Sequence, residues 1–213
     1  MNNQTAKKFD TLSLLKFTLP SMIMMLFMAL YQMVDAVFVS NFVSETALSA
    51  LNIVYPLISF IIAVAVMLAT GGSAVIAKKM GEGEHALARQ LFSMVVLIGV
   101  LFGIAMTLVG IFFTRPLIHL MGSTPALDPY CYDYLYTLML FSPFAVLQLL
   151  FQTFFITAGK PHLGLVVTVL AGIANIFFDF LFIVVIPLGV KGAAYGTAIG
   201  YCIPAIFGLI FFS

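Results

Sequence analysis

Apolar residues run along this chain in stretches too long for a soluble helix and too unbroken for a strand. A membrane crossing needs about 20 mostly apolar residues. Six such stretches are present, at about 14–39, 48–77, 90–113, 129–157, 162–186 and 193–213. Polar punctuation separates them. Ser40–Asn41 and Ser44–Glu45–Thr46 close the first, and Lys78 to His85 follows the second. Arg115–Pro116 through Pro125 reads as a longer connection after the third. Gly159–Lys160–Pro161 and Pro187 to Gly192 read as turns. Hydrocarbon offers no partners to backbone N–H and C=O groups, so each stretch is predicted to be a helix. The alternating ten-residue segments of a membrane barrel are absent. Pro20, Pro56, Pro143 and Pro204 fall inside spans, where membrane helices tolerate them with a kink.

Composition agrees with lipid as the solvent. Of 213 residues, 63% are hydrophobic and 8% charged, and the mean hydropathy is +1.18. A soluble domain carries roughly 25% charged residues. The polar start from Met1 to Asp10 leads into an apolar run that is too long for a signal-peptide core of about 7–15 residues, so that run reads as a permanent span. A net charge of +1 supplies no field for nucleic acid, and no nucleic-acid partner is expected.

The cationic residues are unevenly divided. With the N-terminus in the cytoplasm, Lys7, Lys8, Lys16, Lys78, Lys79, Arg89 and Lys160 fall on that side. Only Arg115 and Lys191 fall outside. The positive-inside rule therefore predicts a multi-pass protein of the cell membrane with a cytoplasmic N-terminus. The final stretch runs to Ser213 without a polar tail, from which a truncated chain or half of a longer protein is expected.

Two acidic residues stand well inside apolar runs, Asp35 and Asp179. A carboxylate at mid-membrane costs about 2.5–3.5 kcal/mol on insertion scales, which points to function or to a shared polar site. At the helical rise, Asp35 is roughly 28 Å from Lys16, Asp179 roughly 25 Å from His162, and Thr197 roughly 9 Å from Lys191. All three reach a similar level in the outer half. Asn175 lies four residues before Asp179 and shares its helical face. Asp35, Asn175, Asp179 and Thr197 offer oxygen ligands and an amide, a set suited to H+ or Na+ and not to zinc. The rival reading is a hydrogen-bonded packing pair.

Other candidates keep two readings open. Tyr130, Tyr132, Tyr134 and Tyr136 form an interfacial belt, or Tyr134 turns toward a cavity. Gln32, Gln148 and Gln152 line a pathway or bond a neighbouring helix. The methionines at 22, 24, 25, 28 and 33 pack against lipid and core, or give an adaptable wall for drugs. Gly71–Gly72–Ser73 and the small residues Gly192, Ala193, Ala194, Gly196 and Ala198 allow close helix approach. Cys131 and Cys202 have no metal spacing and read as packing residues. Gly81–Glu82–Gly83–Glu84 lacks the phosphate-loop pattern. No hydrolytic constellation is present, His85, His119 and His162 carry no assigned role, and neither enzymatic activity nor a cofactor is expected.

These residues resemble the multidrug and toxic compound extrusion (MATE) family. Pro20, Asp35, Phe38–Val39 and Ala47–Leu48–Ser49–Ala50 are similar to its first helix and loop. Lys78–Lys79–Met80–Gly81–Glu82–Gly83–Glu84 followed by Ala88 is similar to its second cytoplasmic signature. Thr157–Ala158–Gly159–Lys160–Pro161, Asn175, Asp179, Gly189–Val190–Lys191–Gly192–Ala193–Ala194 and Thr197 carry the resemblance furthest. It implies an all-α transmembrane fold in which this chain is the N-terminal six-helix lobe of a twelve-helix transporter. It implies an antiporter exporting cationic or amphipathic compounds in exchange for H+ or Na+. Asp35, Asn175, Asp179 and Thr197 would be the ion-coupling residues, Pro20 a helix bend, and the missing C-terminal lobe, lipid and small-molecule drugs the partners. A lipid-linked oligosaccharide flippase is one alternative, disfavoured because no Arg or Lys lies at mid-membrane to hold a pyrophosphate. A non-transporting membrane subunit is the other.

Overall fold

The computed structural model describes residues 11–212. Lys7, Lys8 and Ser213, and the side chain of Lys16, lie outside the described residues. Among the described residues, seven α-helices follow one another: α1 (Thr11–Phe42), α2 (Glu45–Gly81), α3 (His85–Leu120), α4 (Asp128–Leu140), α5 (Ser142–Thr157), α6 (Pro161–Asp179) and α7 (Val190–Phe212). A π-helical segment, Phe180–Val185, joins directly onto α6. Five of these units are long and apolar enough to cross a membrane, and α4 with α5 forms a sixth, bent crossing. The apolar exterior is that of a lipid-solvated protein: Met25 and Phe112 are 72% and 71% exposed.

Three boundaries differ from the hydropathy reading. The Lys78 to Gly81 stretch, expected as loop, is the last turn of α2, and only Glu82 to Glu84 turns the chain. Arg115 to Leu120, expected as connection, continues α3 through Pro116. Both stretches leave the apolar zone, but polarity does not end a helix whose backbone can hydrogen-bond in water. The fourth span is not one helix. It breaks at Phe141, and its halves meet at 57°.

That break follows from local chemistry. Pro143 has no N–H to donate to the Met139 carbonyl four residues back. Two hydroxyls donate there instead, Thr107 Oγ1 at 2.9 Å and Ser142 Oγ at 2.8 Å. The Thr107 bond comes from α3, so one replacement donor also ties two helices together. α3 presents glycines to the bent crossing. A Cβ at Gly103 would fall 2.5 Å from Pro143 Cα, and one at Gly110 2.5 Å from Met139 Cβ. Lipid tails are as apolar as the helices, so close approach and dispersion hold the bundle where hydrophobic expulsion cannot.

The same device joins α7 to α6. Gly192, Gly196 and Gly200 recur every four residues and face Phe182, Asp179 and Asn175 in turn. On the other side of α6, Gly172 receives the rings of Phe27 and Tyr31 from α1. α6 is thus gripped between α1 and α7, which sets the geometry of the polar site. α1 stays helical through Pro20, which is buried.

Candidate functional site

Three helices carry polar side chains to one level of the lobe. α1 supplies Tyr31, Gln32 and Asp35. α6 supplies Asn175 and Asp179. α7 supplies Thr197 and Tyr201. A cavity of about 420 Å3 opens there, and Asp35, Asn175 and Thr197 all line it. Gln32 and Tyr134 line it as well. Tyr134 faces Thr197. Its neighbours Tyr132 and Tyr136 instead stack on each other with centroids 5.4 Å apart, under the Arg115 guanidinium at 5.5 Å from the Tyr132 ring. The tyrosine cluster is therefore divided: the belt reading fits Tyr132 and Tyr136, and the cavity reading fits Tyr134.

Asp179 does not line the cavity. It is fully buried behind it, against Gly196 of α7. A Cβ at position 196 would overlap its Oδ1. The charges of Asp35 and Asp179 nevertheless act on each other, so the two carboxyls share one electrostatic environment. The charge of Asp35 also reaches Tyr31, Tyr134 and Tyr201.

The buried oxygens of this cluster are short of protein donors. Among the described residues, Asp35 Oδ1, Asn175 Oδ1 and both carboxylate oxygens of Asp179 find no hydrogen-bond partner. A buried, unpartnered carboxylate is costly, and a proton or a hard cation offsets that cost. The residues present therefore fit H+ or Na+. Among the described residues no three of His, Cys, Asp and Glu gather into a metal cluster.

The glutamines part company. Gln148 lines a smaller neighbouring cavity of about 90 Å3 with Gln32, Tyr31 and Tyr201. Gln152, one turn on, donates through Nε2 to Thr168 Oγ1 at 3.1 Å and so ties α5 to α6. Pro20 lies roughly 22 Å along α1 from Asp35 and takes no part in the cavity. Cys131 is buried with Sγ 3.6 Å from the Ala50 carbonyl, and both cysteines are free.

Four polar lining residues went unnoticed in the sequence: Tyr31, Tyr55, Tyr201 and Asn52. A signal for two of them was present. Tyr31 precedes Asp35 by four residues and Tyr201 follows Thr197 by four, so each phenol shares a helical face with a residue already singled out. Aromatic faces around an acidic cavity suit an organic cation.

Comparisons with known proteins bear on this arrangement. The chain matches the MatE family model over residues 20–181. The multidrug export protein MepA of Staphylococcus saprophyticus subsp. saprophyticus is 25% identical over 199 residues, 93% of this chain and 44% of that protein. Among solved structures, the MATE multidrug transporter DinF-BH, solved as a complex, is 27% identical with a TM-score of 0.88, covering 92% of this chain and 44% of that one. An outward-facing multidrug resistance MATE family transporter gives a TM-score of 0.86 at 24% identity, covering 92% and 44%, and shows the shared fold. The chain spans about half the length of these relatives, which corresponds to one lobe. The protein is a multi-pass membrane protein with one lobe of a transporter fold, and it belongs to the MatE family.

Proposed function

We propose that this chain is the N-terminal lobe of a secondary antiporter that exports cationic or amphipathic compounds in exchange for H+ or Na+. The observation that carries the reading is the cluster of unpartnered buried oxygens on Asp35, Asn175 and Asp179 beside a tyrosine-lined cavity. A packing pair would satisfy its oxygens with donors from the protein, and this cluster does not.

In this reading, Asp35 and Asp179 with Asn175 and Thr197 take up the coupling ion. Its single positive charge offsets one of two carboxylates that otherwise repel each other. Neutralisation alters how α1 and α7 sit against α6, and the cavity then loses its attraction for a cationic guest. Ion and drug thus favour different states, and linkage makes the coupling reciprocal. Gln32, Tyr134 and Gln148 serve as cavity lining, and Pro20 is the place where α1 bends. The partners are the second lobe, the drug and the surrounding lipid. The names of MepA and of the multidrug transporter DinF-BH support multidrug export as the activity.

The test uses the chain joined to its second lobe in right-side-out vesicles loaded with dye. Fluorescent dye efflux is followed while a sodium gradient and a pH gradient are imposed separately. One gradient alone is expected to drive efflux, and Asp35→Asn and Asp179→Asn are each expected to abolish that dependence while protein levels hold. Gradient-driven efflux that survives both substitutions overturns the reading.

A further inference from the structure

A third cavity lies at the opposite end of the lobe, beside the α2–α3 turn. Its volume is about 740 Å3. Arg89, His85 and Lys160 stand at its rim, all three exposed. Neither Arg89 nor Lys160 makes an ion pair with an acid among the described residues. The nearby acids are already engaged: Glu82 and Glu84 both pair with Lys79, at 2.8 and 3.2 Å. α3 and α6 begin at this rim, and among the described residues neither N-cap residue, Glu84 or Lys160, makes a side-chain capping bond. Two helix N-termini therefore add partial positive charge to that of the side chains.

The floor has a different character. Phe92 packs on Phe154 and Phe212 with centroids 4.9 and 5.0 Å apart. Lys160 Nζ sits 4.8 Å above the Phe211 ring, so the ammonium is held at the boundary between rim and floor. A free oxyanion has no use for an aromatic floor, and an uncharged lipid has no use for the cations. An anionic phospholipid uses both, with its phosphate at the rim and its glycerol and first acyl carbons on the rings.

We propose that this cavity binds the headgroup of an anionic phospholipid, with Arg89 and Lys160 as its principal phosphate contacts. The site is separate from the coupling-ion cluster and does not rest on the antiport reading.

The test is native mass spectrometry of the chain in dodecyl maltoside with phosphatidylglycerol or phosphatidylcholine added. Retained phosphatidylglycerol adducts are expected well in excess of phosphatidylcholine adducts. Removing two interfacial cations is expected to weaken binding on the order of 30-fold, the effect of Arg89→Gln with Lys160→Gln. Lys78→Gln, at the same end but outside the cavity, should leave binding unchanged. Arg89→Lys with Lys160→Arg should restore it, which separates charge from folding. Equal retention of the two lipids, or an equal loss with Lys78→Gln, overturns the assignment. So does displacement of the lipid by millimolar inorganic phosphate, which would mark a site for a free oxyanion.

Discussion

At the scale of single residues, the most constrained position in the site is not one of its acids but Gly196. The fully buried Asp179 carboxyl occupies the space that a side chain at 196 would need. Gly196→Ala is expected to force Asp179 or the helix axis aside, at a cost of about 1–3 kcal/mol for overpacking. Gly71 is the natural control, because a Cβ there meets nothing within 4 Å. Gly71→Ala removes a helix-interior glycine and is expected to be neutral or to stabilise by up to about 1 kcal/mol. Thermal unfolding of the two purified variants in detergent checks both signs. If Gly196→Ala melts with the unsubstituted protein, α6 and α7 are not in contact as described.

At the scale of elements, the bent fourth crossing is the clearest case of one residue's missing donor shaping a helix. Thr107→Val removes the α3 hydroxyl from the Met139 carbonyl and leaves Ser142 as its side-chain donor. A net loss of about 0.5–1.5 kcal/mol is expected. Thr107→Val with Ser142→Ala leaves the carbonyl without either donor, and the combined loss should exceed the sum of the single ones, because each hydroxyl covers for the other. Unfolding of the four proteins in a double-mutant cycle measures this. The sequence foretold some of this architecture and not the rest. Hydropathy finds all six crossings, because apolar length is set by bilayer thickness and needs no tertiary information. Pro143 marked the place of the bend, yet its 57° depends on where α3 puts Thr107 and Gly103. The π segment after Asp179 left no trace in the apolar pattern. Its backbone register is tied to Gly192, which packs on the Phe182 carbonyl, and such a contact between two spans has no local signature. Depth reckoning along three helices brought Asp35, Asp179 and Thr197 to one level. It could not tell that Asp179 would sit behind the cavity wall rather than on it.

At the scale of the whole molecule, the lobe has two chemically unlike ends. One carries Lys78, Lys79, Arg89 and Lys160. The other carries the Lys191–Asp133 pair at 3.1 Å and the His119–Asp128 pair at 3.4 Å. We propose, on the positive-inside bias, that the first end faces the cytoplasm. Single cysteines test this in a background where Cys131 and Cys202 are replaced by alanine. Lys78→Cys is expected to react with an impermeant maleimide only in inverted vesicles, and Ala126→Cys, in the exposed turn after α3, only in right-side-out ones. The opposite pattern would overturn the proposed orientation. The glycine-lined contact between α6 and α7 also bears on how fast this part of the lobe can rearrange. Hydrogen atoms, not side chains, face Asp179 across that seam, so no rotamer can swing aside to admit a visitor. Whatever passes on that side must wait for two helices to slide or part, a collective motion of roughly microseconds to milliseconds rather than the picoseconds to nanoseconds of a side-chain flip.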